Sequence, residues 1–308
     1  AAQYLVITID VEAQPGRASQ DHVERLIYGN FPGKGRAGIV EMMDIADRYH
    51  VKLSFFLDVL EEVIYPKQIE AVARLIVGRG HDLQLHTHPE NMPDTFFAKL
   101  GFPRKLSNDF TGSEAAALFG EVKNLVGGWG LPPFVAYRAG SYRYSPGLVQ
   151  AMPGAGISFS YNYNVVAPAQ RKYHLQNIPM FRWENDLIEI PVSFVGEAGA
   201  SLVRFDDMTY LPSGNPQDAY AMIDHFQSQW PAPNVLVMML HSWSLLDLPP
   251  GSSFFEYKDS VRLTLFDRFL ASLPENVKVV SARELSALVA QGVVSVSDRM
   301  STAKVFRE

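Results

Sequence analysis

Residues 81–90, HDLQLHTHPE, hold three of the chain's eight histidines, two of them one residue apart. The preceding IVGRG (76–80) reads as a helix end with glycines at the stop. HDLQL then reads as a short buried strand, and Pro89 ends it, because proline has no N–H to give a ladder. His86 and His88 therefore stand where a strand leaves a sheet, and the alternation of an extended chain turns both to one side. Two imidazoles on one side, with Glu90 just beyond, make half of a metal site. Loop histidines also have an ordinary surface explanation. What decides between the two is whether the arrangement recurs elsewhere in the chain.

Upstream, residues 4–9 (YLVITI) are a β-branched apolar run, read as a buried strand and closed by Asp10-Val11-Glu12. Residues 13–35 read as a long loop. Residues 38–49 have helical spacing at Ile39, Met42, Met43, Ile45 and Ala46. Residues 52–57 form a second strand, and 66–77 a helix opened by Pro66. Downstream, 91–112 read as an irregular insertion and 113–126 as a capped helix. FVAY at 134–137 is a strand that runs into Arg138. A short helix over 145–152, a strand over 157–161 and an irregular aromatic stretch over 162–186 follow. LIEIPV at 187–192 is a further strand, and 216–229 a helix. NVLVMML at 234–240 is the most apolar strand and ends in His241. A helix (257–273), a strand (277–280) and a helix (282–290) close the chain. Strand and helix in alternation mean βαβ units and a parallel sheet. With no repeat and no linker, the expectation is a single domain over residues 1–308.

The chain has 308 residues, 47% hydrophobic and 19% charged, the balance of a globular protein with a sizeable core. A formal net charge of −6 and the lack of a basic run argue against nucleic-acid binding. With no cysteine, thiolate metal sites, thiol nucleophiles and disulfides are excluded. No apolar run approaches the roughly 20 residues of a membrane span. Ala1-Ala2-Gln3 has neither a charged n-region nor an apolar h-region, so no intact signal peptide is expected, and the cytoplasm is the expected location. The sequence does not fix the oligomeric state.

Four buried strands thus end in ionisable residues: Asp10 and Glu12, His86 and His88, Arg138, and His241. Each has a bland explanation alone, such as a helix cap for Asp10 or a surface arginine for Arg138. In parallel α/β folds, ligands and chemistry lie at the C-terminal ends of the strands, so four accidents at one station are a poor account. Carboxylates, imidazoles and a guanidinium without a thiol suit a divalent metal used in hydrolysis.

The same residues resemble the NodB-homology polysaccharide deacetylases, carbohydrate esterase family four. Thr8-Ile9-Asp10-Val11-Glu12 is similar to the family's first motif, a strand ending in an Asp base and an acidic metal ligand. Gly80-His81-Asp82-Leu83-Gln84-Leu85-His86-Thr87 resembles the second, Arg138-Ala139-Gly140-Ser141 the third, and Met239-Leu240-His241 the fifth. Residues 187–193, LIEIPVS, look like a strand common in the group. The likeness runs over about residues 4–290, in the family's order. It implies a distorted (β/α) barrel of about seven parallel strands and a metal-dependent amidohydrolase.

On that resemblance a zinc-like ion (cobalt, nickel or manganese being alternatives) is held by Glu12, His86 and a third ligand. The family's second histidine falls four residues after the first, where this chain has Glu90, while His88 stands between. His88 is preferred, since an extended HxH lets both rings face one ion. Asp10 is the implied base, Arg138 orients it, and His241 is the acid. Backbone N–H groups near Ser141 or Tyr142 would hold the oxyanion. The family's proline of the third motif is Gly140 here, which would loosen that turn. The carboxylate that serves His241 is open among Glu184, Asp186, Asp206 and Asp207. Phe96, Phe97, Trp129, Tyr161, Tyr163, Trp183 and Trp243 offer rings for stacking on sugar, although packing is the commoner use. The implied substrate is an N-acetylated (or O-acetylated) glycan. Two alternatives are a small cyclic amide or ureide on the same fold, and a carbohydrate-binding homologue without catalysis.

Overall fold

The computed structural model describes residues 1–196, 203–204 and 217–307. They fall into two compact units, each discontinuous in sequence.

The first unit comprises Ala1–Phe55, Gly78–Asp82 and Ser193–Ser281. Its spine is the strand Gln3–Val11, buried at every position. A strand buried on both faces carries no polar alternation, which is why its sequence reads as a continuous apolar run. It pairs in parallel with Asn234–His241 over eight positions, from Gln3 opposite Asn234 to Asp10 opposite His241. It also pairs in parallel with Val277–Val279. The helix Ile39–Arg48 buries Ile39, Met42, Met43, Ile45 and Ala46 on one face. It packs on Val261–Ala271, which buries Leu265, Phe266, Phe269 and Leu270. The stretch read as loop over 13–35 contains a short helix, His22–Leu26, and a small hairpin, Asn30–Phe31 with Gly35–Arg36. Such short elements give too few residues for a period to show.

The second unit comprises Phe56–Val77, Leu83–Val192 and Ala282–Glu308. The strand Asp82–Thr87 runs two residues beyond the predicted end, so His86 belongs to it. It pairs in parallel with Ala136–Ala139, Leu85 facing Tyr137 and His86 facing Arg138. The buried Gln84 side chain accepts from the Val135 and Ala136 N–H groups, both at 2.9 Å, and so fixes where that partner begins. Phe159–Ser160 and Ile188–Glu189 continue the parallel pairing. Both are shorter than their apolar runs suggested. Phe181–Trp183 turns antiparallel to Ile188–Glu189, within the stretch read as irregular. Residues 91–112 likewise contain a helix, Asp94–Leu100, which buries Phe96 and Phe97.

The helix Gly112–Val126 is capped by Thr111, two residues before Ser113: its Oγ1 accepts from the Glu114 N–H at 3.2 Å, and Glu114 Oε1 accepts from the Thr111 N–H at 3.0 Å. Thr111→Ala removes one half of this box. It is expected to destabilise the protein by about 1 kcal/mol, read as a lower urea midpoint at unchanged m-value. Among the described residues, no helix is long and apolar enough to cross a membrane.

Candidate metal centre

In the first unit, Asp10, Glu12 and His241 come together: one ligand atom from each lies within 4.8 Å of the others. The backbone explains why. Asp10 and His241 are register partners at the ends of parallel strands, and the Ser242 N–H donates to Asp10 O at 2.8 Å. The Glu12 N–H donates to Ser242 Oγ at 3.3 Å, which keeps the chain extended past the strand so that positions 10 and 12 share a side. Asp10 is 3% and Glu12 1% exposed. Carboxylates that deep require partners or an ion. The His241 ring stacks on Trp243, with centroids 4.6 Å apart and planes 9° from parallel, while the Arg17 guanidinium lies 5.9 Å from the Trp243 ring centre.

His81, the other histidine of the opening stretch, is a structural staple in this unit. Its Nδ1 accepts the Leu53 N–H at 3.1 Å, so Nε2 carries the proton and donates to Asp47 at 2.8 Å. Burial holds its basicity below the ordinary imidazole value, against the pull of Asp47.

In the second unit, His86 and His88 stand together, their rings 5.0 Å apart edge to face, both almost wholly buried. His86 Nδ1 lies 2.8 Å from Arg138 O, a pure acceptor, so Nδ1 carries the proton. His88 Nδ1 lies 2.7 Å from Glu90 Oε1, again an acceptor. In the neutral ring this places the lone pair on Nε2, the tautomer a metal needs. Glu90 also accepts from Arg143 Nη1. Burial raises the Glu90 carboxyl, but the His88 hydrogen bond and charge, with Arg143, more than offset it and hold the group below its ordinary value. The buried Asp58, at the end of the strand Ser54–Asp58, accepts the His88 N–H at 3.2 Å. It is a strand-end acid the sequence reading passed over, one residue beyond the run 52–57.

Arg138 is fully buried. Its Nε donates to Tyr161 O at 3.0 Å, and its guanidinium lies 4.9 Å from the Phe56 ring centre. The turn Gly140–Tyr142 carries positive φ at two non-glycine residues, Ser141 (54°) and Tyr142 (53°). That conformation costs on the order of 1 kcal/mol or more per residue. It is braced by Gln170, whose Nε2 donates to Tyr142 O at 3.1 Å and to Asn162 O.

Of the carboxylates considered for His241, Glu184 is engaged by the Thr302 N–H and hydroxyl, and Asp186 pairs with Arg299 at the surface. Asp206 and Asp207 lie outside the described residues. All seven candidate stacking aromatics are buried in the core, which supports the packing reading. A further acid, Glu189, was hidden in the apolar run LIEIPV. It is fully buried and accepts five hydrogen bonds: from Tyr144 Oη, Ser160 Oγ and Trp183 Nε1 on one oxygen, and from the Asn162 and Tyr163 N–H groups on the other.

Compared with known proteins, this chain has the mixed α/β, mostly parallel, barrel-like fold of the polysaccharide deacetylases. The likeness is to the crystal structure of a Mycobacterium smegmatis protein provisionally described as a polysaccharide deacetylase, at TM-score 0.60 and 15% identity over 97% of this chain and 93% of that one. The 4-alpha-glucanotransferase of Thermococcus litoralis has a TM-score of 0.58 at 12% identity, over 98% of this chain and 42% of that one. No family model and no curated protein matches the sequence.

Proposed function

We propose that the chain is a divalent-metal-dependent hydrolase that removes acetyl groups from a glycan, with N-acetyl groups as the first substrate. The observation that carries this reading is the matched pair of imidazoles. His86 and His88 both set Nδ1 against an oxygen acceptor, which in the neutral ring puts the metal-binding lone pair on Nε2. Glu12 supplies the third, anionic ligand, completing the three protein ligands usual for catalytic zinc. Their chemistry fits the ion, since imidazole and carboxylate both suit zinc and its neighbours. Such an ion supplies Lewis-acid polarisation of the acetyl carbonyl and lowers the pKa of water.

The chain's own residues do the rest. Asp10 takes the proton of the attacking water, and Arg138 keeps the Asp10 carboxylate oriented. The N–H groups of Ser141 and Tyr142 face the developing oxyanion. His241 gives its proton to the leaving nitrogen as the C–N bond breaks, so acetate and a free amine result. The fold alone does not choose this chemistry, as it is shared with a glucanotransferase. Glycosyl transfer uses two carboxylates flanking the sugar ring, whereas Asp10 and Glu12 share one side of one extended segment.

The test is acetate release from N-acetylated oligosaccharides by protein loaded with Zn, Co, Ni or Mn. Release that stops with a chelator and returns with metal is expected. Protein that holds the ion yet frees no acetate from any N- or O-acetylated glycan would overturn the reading. Glu12→Ala and His86→Ala should each lose the ion by elemental analysis.

A further inference from the structure

Two departures from the deacetylase pattern meet at one imidazole. Gly140 stands where the resemblance expects proline, and Glu90 where it expects a histidine. The His88 ring lies directly on the Gly140 Cα. A Cβ at position 140 would sit 2.3 Å from His88 Nδ1, 2.4 Å from Cε1 and 2.5 Å from Cγ. Contacts under 3.0 Å do not occur for real Cβ atoms, so any side chain there must displace the ring. The need for glycine here is close approach, not a left-handed backbone.

The rest of the ring is fixed as tightly. Nδ1 donates to Glu90 at 2.7 Å, and Arg143 holds that same carboxylate oxygen. Arg104 pins the backbone of the turn by donating to Glu90 O at 2.7 Å. Asp58 holds the His88 N–H.

We propose that Gly140, Glu90 and Arg143 are positioning residues for His88, forming a seat that turns its Nε2 to the metal and so moves the second histidine ligand two residues toward His86. This rests on the reading of the centre given above. Gly140 is then not a loosened oxyanion turn but the space the shifted ligand occupies. Glu90 is its hydrogen-bond acceptor, not a ligand.

The test measures Zn²⁺ affinity by chelator competition on metal-stripped protein, with unfolding midpoints recorded alongside. Gly140→Ala and Glu90→Ala are each expected to weaken Zn²⁺ binding about 10- to 100-fold, the scale of lost outer-shell support. Glu90→Gln, which still accepts from Nδ1, should recover most of the loss. The decisive measurement is a double-mutant cycle: in a His88→Ala background, Gly140→Ala should cost no further affinity, because the ring it displaces is gone. Equal losses with and without His88 would overturn the proposal, as would Glu90→Ala matching His86→Ala with no rescue by Gln. If Gly140→Ala fails to fold, the Glu90 pair decides alone. Wild-type protein that binds no Zn²⁺, or that loses none of it in His86→Ala, would instead sink the metal centre itself.

Discussion

Asp10→Asn is expected to keep both the ion and the fold while kcat falls by on the order of 10² to 10⁴, the usual contribution of a general base. Asparagine has the same shape and retains an acceptor oxygen, so the local packing survives. What it loses is the ability to take a proton. Asp10 sits in the group with Glu12 and His241, 3% exposed and in register with His241. A base in that place acts in the transition state, so kcat and kcat/KM should fall together while KM changes little. Retention of the ion is checked by elemental analysis of the same samples. A variant that loses the metal would make Asp10 a ligand and require a different base. His241→Ala should show the same kinetic signature, with a modest stability loss from its stacking on Trp243.

Much of this centre is legible in the sequence because strand ends are. Residues 4–9, interrupted only by Thr8, and 235–240 are apolar runs, and a buried run marks its own end by its first ionisable residue. Alternation then says that 10 and 12, or 86 and 88, share a side. Alternation alone leaves Glu90 on that side as well, and in the structure Glu90 lies 2.7 Å from the His88 Nδ1 as its hydrogen-bond acceptor. What the sequence hides is contact across the chain. Gly140 and Glu90 read as two unrelated departures, because only folding lays the His88 ring on the Gly140 Cα. The helix Asp94–Leu100 is missed because two adjacent phenylalanines in one turn define no period. Glu189 is missed because an acid between Ile188 and Ile190 looks like a solvent-facing strand position. Its five donors come from residues 144–183, and no local pattern announces them.

Glu189 carries the second large prediction, a stability that declines with pH. Burial pushes its carboxyl up from the ordinary 4.5 to about 7, in spite of the hydrogen bonds from Tyr144, Ser160, Asn162 N–H and Trp183. Burial raises the phenol of Tyr144, which donates to Glu189, and that of nearby Tyr163, which donates to Gln176 O, far above this range, so both stay neutral throughout. Between pH 4.5 and about 7 the native state keeps a proton that the unfolded chain has released. The unfolded state then binds fewer protons, so stability falls as pH rises. The contribution is whole below pH 4.5 and gone above about 7. At about 1.4 kcal/mol per tenfold change in proton affinity, it amounts to on the order of 3 kcal/mol. Asp47, Glu90 and Glu114 are held low and work in the opposite direction, so the raw curve mixes both signs. Comparison with Glu189→Gln separates them, because the other groups titrate alike in both proteins. The neutral acid can donate to the Tyr144 or Ser160 hydroxyl and still accept from Trp183 Nε1, whereas the Gln amide nitrogen at that place meets the indole N–H donor to donor. Glu189→Gln is therefore destabilised at pH 4.5, and its deficit should shrink by on the order of 3 kcal/mol by pH 8. Urea unfolding at the two pH values reads this directly. A deficit that stays constant between them would mean that Glu189 is ionised in the native protein throughout, its five donors outweighing its burial.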